Sequence, residues 1–242
     1  MLPHGTIVRE QPPVIWPLRR SQVPIITVLS AILAYTSAVA ATVSDRLLEF
    51  GSAARARMRT QFENAGIAYP PAQVKLVGLK REARMDVYAA NAHGEWRLVS
   101  TYPVLAASGA EGPKLHEGDR QVPEGLYRIE VLNPNSRFHV SLRIDFPNAF
   151  DRRMAVADRR SHLGGDIMIH GSNVSVGCLA MGDRVAEELF TLVADSGLGH
   201  VDVVLAPADL RETTQIVSGK NPPWVAALYR EISDELKRLP RR

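Results

Sequence analysis

The sequence predicts a mainly β fold, a sandwich- or barrel-like body with flanking α-helices. Three observations carry this expectation. From Val74 onward, apolar residues recur at short, strand-like spacing. Clusters of Gly, Pro and Asn punctuate those runs. Helical periodicity is confined to a stretch before residue 65, one after residue 182 and one at the C-terminus, too few for a βαβ array.

The elements follow in order. Leu47, Phe50, Ala54, Met58 and Phe62 recur at spacings of three and four, which predicts a helix from Val43 to about Asn64. Gly66 and Pro70-Pro71 end it. Its plain amphipathic pattern makes it a packing or spacer helix. Val74–Leu79 reads as a strand. Met85–Ala90 and Trp96–Tyr102 flank the turn-rich Asn91–Glu95 and read as a hairpin. Ala107–Glu124 is polar and broken by Gly and Pro, hence a loop or lid-like segment. Gly125–Val131 is the next strand and Asn133–Ser136 a turn. Beyond it the pattern alternates. Phe138, Val140, Leu142, Ile144 and Phe146 share one face, and Arg137, His139, Ser141, Arg143 and Asp145 the other. Asp166–His170 and Val201–Leu205 are short strands. Asp183–Ala194 is a helix with Asp183 as its N-cap, and Pro222–Leu239 is a charged amphipathic helix expected on the domain rim.

The N-terminus is of another kind. Arg19-Arg20 precede the apolar run Val23–Ala34, no charge occurs between Arg20 and Asp45, and Ala38-Val39-Ala40 has the small-x-small form of a cleavage site. This order predicts an export signal, with an uncleaved membrane anchor over residues 20–41 as the alternative. The expected organisation is residues 1–41 signal or anchor, 42–71 helical spacer, 72–206 catalytic domain and 207–242 C-terminal helical extension. Of the formal charge of +3, the first forty residues hold Arg9, Arg19 and Arg20 against Glu10. The remaining body is nearly neutral and has no basic block, so nucleic acid is not an expected partner.

Cys178 is the only cysteine in 242 residues, so an internal disulfide is excluded and the thiol is a candidate reactive group. It follows Gly177 and stands eight residues after His170, itself followed by Gly171. A thiol and an imidazole on two sides of one tight loop form a nucleophile–base pair. The imidazole takes the thiol proton and later returns it to a leaving amine. Glycines at 171 and 177 permit left-handed backbone and close approach of substrate. The Gly177 and Cys178 N–H groups are candidate oxyanion donors. No Asp or Glu lies between His170 and Cys178, so a backbone carbonyl near Gly171 is the candidate for orienting the imidazole. His162 and His200 show no metal-ligand spacing, and neither metal nor cofactor is expected.

Ile169-His170-Gly171 with Ser175-Val176-Gly177-Cys178-Leu179-Ala180-Met181 resembles the signature of the L,D-transpeptidase catalytic (YkuD) domain, and more closely its YafK-like branch. Val122–Ile129, Asn133–Leu142 and Pro147–Asp151 agree with it, so the resemblance covers about residues 72–206. It implies a YkuD-type β-sandwich, Cys178 as nucleophile, His170 as general base, Gly171 as the orienting carbonyl, and Gly177 with Cys178 as oxyanion donors. It further implies peptidoglycan stem peptides as substrate, wall-linked envelope proteins as further partners, and a periplasmic or envelope location. Two positions depart from the common pattern. Val176 replaces a histidine, and Ala180 replaces an arginine expected to help hold a substrate carboxylate. Ser175, His139 and Asn148 are secondary candidates for substrate contact, each with a structural alternative. The competing classes are a hydrolytic relative, a non-catalytic wall-binding module and a redox sensor built on the lone thiol.

Overall fold

The computed structural model describes residues 40–212 and 221–241. The apolar run Val23–Ala34 lies outside them, and no described helix is long and apolar enough to cross a membrane. In chain order come α1 (Val43–Arg46), a π turn (Leu47–Gly51), α2 (Ser52–Ala65), β1 (Gln73–Leu79), β2 (Arg84–Ala90), β3 (Trp96–Pro103), β4 (Ala106–Ala107), β5 (Gly125–Ser136) and β6 (His139–Ile144). Then follow α3 (Ala149–Ala157), β7 (Met168–His170), β8 (Leu179–Ala180), α4 (Asp183–Ser196), β9 (Val201–Ala206) and α5 (Val225–Lys237).

Among the described residues, nine strands join in the order β3-β2-β1-β9-β5-β6-β7-β8-β4. Most pairings are antiparallel, but β1–β9 and β7–β8 are parallel, so the fold is a mainly β, mixed-sheet body with flanking helices. β5 is long enough to serve both halves. Gly125–Arg128 pair with β9, while Ile129–Ser136 pair with β6. Both halves send side chains into one core, among them Leu76, Val87, Ile129, Leu142, Ile169 and Leu179. α2 and α4 contribute Met58, Phe62, Leu189 and Phe190 to the same core. Burying this much apolar surface is the main drive for the halves to stay together.

The N-terminal helix is a packing element. Phe50, Ala54, Met58 and Phe62 are buried, and Arg57 pairs with Glu188 and Glu187 of α4. Gly66 ends it in a left-handed C-cap at φ +66°. α5 lies against the other face of β1 and β9, where Val225, Leu228, Ile232 and Leu236 meet Val77, Leu79, Val204 and Ala206. Covered on both faces, β1 is apolar at Val74, Leu76, Val77 and Leu79, and its one charge, Lys75, is buried and paired with Glu235 of α5.

Three expectations need correction. Asn133–Ser136 does not turn the chain; it continues β5 through a register irregularity, and Ser136 pairs with His139 across the reversal at Arg137-Phe138. A bulge tolerates Pro134, whose missing donor a regular ladder would require. Phe138 leaves the core row and stacks on the His170 ring, centroids 4.7 Å apart. Asp183 is the first helical residue of α4 rather than its cap; the N-cap is Gly182. The short elements β4 and α3 carried too little periodicity to be read from the sequence.

Candidate active site

Strand register sets the segments that carry the imidazole and the thiol side by side. β7 and β8 run parallel, with Ile169 opposite Leu179 and His170 opposite Ala180. Ile169 and Leu179 belong to the buried core. Alternation turns the His170 side chain to the opposite face, and Cys178 immediately precedes β8. Met168 N–H donates to Cys178 Sγ at 3.4 Å, which fixes the thiol beside β7. The thiol donates in turn to the backbone carbonyl of Asp166 at 3.6 Å.

The imidazole is oriented by backbone. His170 Nδ1 lies 2.6 Å from the Gly171 carbonyl oxygen. A carbonyl only accepts, so Nδ1 carries the proton and Nε2 is left as the basic nitrogen. The His170 side chain is buried, with Phe138 stacked on its ring. Burial lowers the imidazole pKa, opposed by the Gly171 hydrogen bond. Burial likewise raises the Cys178 thiol pKa, with the Met168 N–H opposing. Burial thus favours the neutral form of each group.

The loop between them is pinned at both ends. At its start, Ser172 N–H donates to Asp183 Oδ1 at 2.7 Å, and Gly182 N–H donates to the Ser172 carbonyl at 2.8 Å. At its end, Gly177 N–H donates to Ser108 Oγ at 2.6 Å, and Cys178 N–H to Ser175 Oγ at 3.2 Å. The two glycines are needed for different reasons. Gly177 has φ +82°, a region L side chains avoid. Gly171 does not lie there; the left-handed residue is Ser172, at φ +64°. At Gly171 the requirement is space. A Cβ would stand 2.5 Å from Asp183 Oδ1 and 2.7 Å from the Phe138 carbonyl oxygen.

The remaining candidates are placed as follows. Ser175 bonds within the loop, to the Cys178 amide. His139 Nε2 lies 3.1 Å from Glu187 Oε1, and its ring packs on Phe50. Asn148 is the N-cap of α3. Its Oδ1 accepts from Phe150 and Asp151 N–H, and its Nδ2 donates to the Leu126 carbonyl. Its polar atoms are thereby occupied in capping. Ala180 is buried, while Val174 and Val176 stand out from the loop. Among the described residues, no group of three or more His, Cys, Asp or Glu side chains is placed to hold a metal ion.

The Ala107–Glu124 segment is tied down rather than loose. Lys80 Nζ donates to the Gly112 and Val122 carbonyls at 2.9 and 3.0 Å and pairs with buried Glu124 at 3.0 Å. Glu124 also accepts from Gly112 N–H and from the Tyr229 hydroxyl of α5. Asp119 accepts from Lys114 Nζ and from three backbone amides, those of Leu115, His116 and Gln121. Sequence reasoning missed Ser108, Asp183 and Phe138. Ser108 and Phe138 reach the site from distant segments, Asp183 from the start of the helix that follows β8, and no local pattern marks these contacts.

The L,D-transpeptidase catalytic domain (YkuD) family model matches residues 77–214. A protein of Escherichia coli (strain K12) named "Putative L,D-transpeptidase YafK" is 36% identical over 133 residues, 53% of this chain and 51% of that protein. The same named protein of Escherichia coli O157:H7 matches equally. The chain thus spans about half the length of the curated relatives it matches. Among solved structures, the helical cell shape determining protein Pgp2 of Campylobacter jejuni aligns with a TM-score of 0.47 at 20% identity, covering 66% of this chain and 52% of that one. Mycobacterium tuberculosis L,D-transpeptidase 1 aligns with a TM-score of 0.33 at 16% identity, covering 55% and 62%.

Proposed function

Since the chain belongs to the L,D-transpeptidase catalytic-domain family, we propose that it is a cysteine acyl-transfer enzyme of the bacterial envelope acting on peptidoglycan stem peptides. One observation supports this reading above the others. The Gly171 carbonyl holds the Nδ1 proton of His170, which leaves Nε2 as the basic nitrogen, on a strand paired with the one that Cys178 precedes. Cys178 Sγ attacks an amide carbonyl as its proton passes to His170 Nε2. The S–C bond forms, the C–N bond breaks, and the imidazolium returns the proton to the departing amine. The product is a thioester on Cys178. An incoming amine converts it to a new amide, and water converts it to a carboxylate.

A second reading has its own support. The position two after the cysteine is a buried alanine, so it offers no cation to a substrate carboxylate. That favours a hydrolytic role, trimming stem peptides or releasing proteins linked to them. Residues 20–41 would export or anchor the chain at the envelope.

The test is to incubate the protein with defined muropeptides and follow masses. An adduct on Cys178 that is lost in Cys178→Ala is the expected result. Cross-linked dimers identify transfer, and loss of a residue or fragment identifies hydrolysis. Identical behaviour of wild type and Cys178→Ala overturns the enzymatic reading.

A further inference from the structure

Two backbone amides flank the thiol, and they are differently engaged. The Cys178 amide meets Ser175 Oγ at 3.2 Å, a long contact within the same loop. The Gly177 amide meets Ser108 Oγ at 2.6 Å, across sixty-nine residues of sequence. The Ser108 hydroxyl has a single proton, and it is committed as well, donated at 2.6 Å to the Arg120 carbonyl. With its hydrogen pointing to Arg120, the oxygen can only accept from Gly177. Ser108 therefore joins three things: strand β4, the far end of the 107–124 segment, and the residue before the nucleophile. β4 itself pairs with β8, Ala107 opposite Leu179, so the hydroxyl stands one residue beyond a strand that is fixed beside β8.

From this we infer that Ser108 is a positioning residue for the reaction, and that the Gly177 amide is the anchor of the loop rather than a donor to the oxyanion. The oxyanion is then received by the Cys178 amide, which exchanges its long Ser175 contact for the substrate oxygen. The argument has three parts. Gly177 is held at φ +82°, a conformation that costs little for glycine but leaves the loop free to relax if nothing holds it. The other end of the loop is already held by Asp183 and Gly182, so Ser108 supplies the missing second point. The 107–124 segment is fixed below by Lys80 and Glu124, which gives Ser108 a rigid base. This inference rests on the acyl-transfer reading, and it assigns the two amides opposite tasks.

The opposite assignment predicts the opposite result. If Ser108 were merely covering an oxyanion donor, removing its hydroxyl would free that donor and speed acylation. The test compares the full-length wild type, Ser108→Ala and Ser108→Thr. The first readout needs no substrate: hydrogen exchange at the Gly177 amide, followed by NMR. Ser108→Ala is expected to lower protection at least tenfold there, and Ser108→Thr to restore it. The second readout is thioester formation with a stem peptide. The expected result is an acylation rate at least tenfold lower in Ser108→Ala at unchanged KM, again restored by threonine. Unchanged Gly177 protection in Ser108→Ala overturns the inference, and so does faster acylation. If the wild type forms no thioester, the acyl-transfer reading fails, while the exchange readout still decides the anchor.

Discussion

Gly171→Ala is the sharpest single perturbation of the site, because its cost is set by neighbours that cannot easily move. The added methyl would lie 2.5 Å from Asp183 Oδ1, 2.7 Å from the Phe138 carbonyl oxygen and 3.0 Å from His139 Cβ. One of these is backbone, in the tight reversal between β5 and β6. The Asp183 carboxylate, if displaced, gives up its 2.7 Å bond from Ser172 N–H. Losing a hydrogen bond to a charged acceptor costs about 1.5–3 kcal/mol. Overpacking a close-packed site costs about 1–3 kcal/mol. Allowing for partial relaxation, the expected loss is roughly 2–4 kcal/mol, read as a lower denaturation midpoint at unchanged slope. The same shift moves the Gly171 carbonyl, which holds His170 Nδ1 at 2.6 Å. A displacement on the order of 1 Å costs about a hundredfold in rate. Acylation should therefore fall about a hundredfold even at temperatures where the variant is folded. A variant that loses less than about 0.5 kcal/mol, the range of an ordinary surface change, and acylates normally would refute the packing argument for this glycine.

Further predictions concern charge and structure. His170 is shifted below its ordinary value of 6.5 and Cys178 above its ordinary 9.0, both through burial. The acylation rate should stay level between those values, with its acid limb below 6.5 and its alkaline limb above 9.0; a stopped-flow pH profile checks this. Stability follows the same shifts. The depressed His170 contributes stability above pH 6.5 that is lost as pH falls through its folded pKa. The raised Cys178 contributes stability below pH 9.0 that is lost as pH rises through its own. Lys80→Met leaves Glu124 buried without its cation, which should cost about 3–5 kcal/mol in denaturant titration. Proteolysis should then open the 107–124 segment first. Asn148→Ala removes the cap of α3 and should cost ~1 kcal/mol, with acylation within twofold of wild type; a selective rise in KM would return Asn148 to the substrate side.

Much of the fold was legible because it repeats locally. Alternation over Val140–Phe146 and the runs at Val74–Leu79 and Val201–Leu205 mark strands whichever partners they meet. The spacing of Phe50, Ala54, Met58 and Phe62 marks a buried helix face before its partner, α4, is known. The contact of His170 Nδ1 with the Gly171 carbonyl was legible for a similar reason, since the two residues are adjacent in the chain. What failed were readings by composition alone. Asn133–Ser136 has turn residues but runs as a bulged strand, because Ser136 finds His139 across the hairpin. Asp183 has the chemistry of a cap but spends its carboxylate on Ser172.

The sequence by itself determined the longer strands and the main helices, since each depends on the period of nearby residues, and it set one thiol eight residues from one imidazole. Only the tertiary structure decided that β7 and β8 lie parallel, with His170 opposite Ala180. It also decided that Ser108, Phe138 and Asp183 converge on the loop from three separate elements. Two of these contacts join residues tens of positions apart, and the third spans eleven. They arise from how the sheet is ordered and packed, which no local pattern encodes.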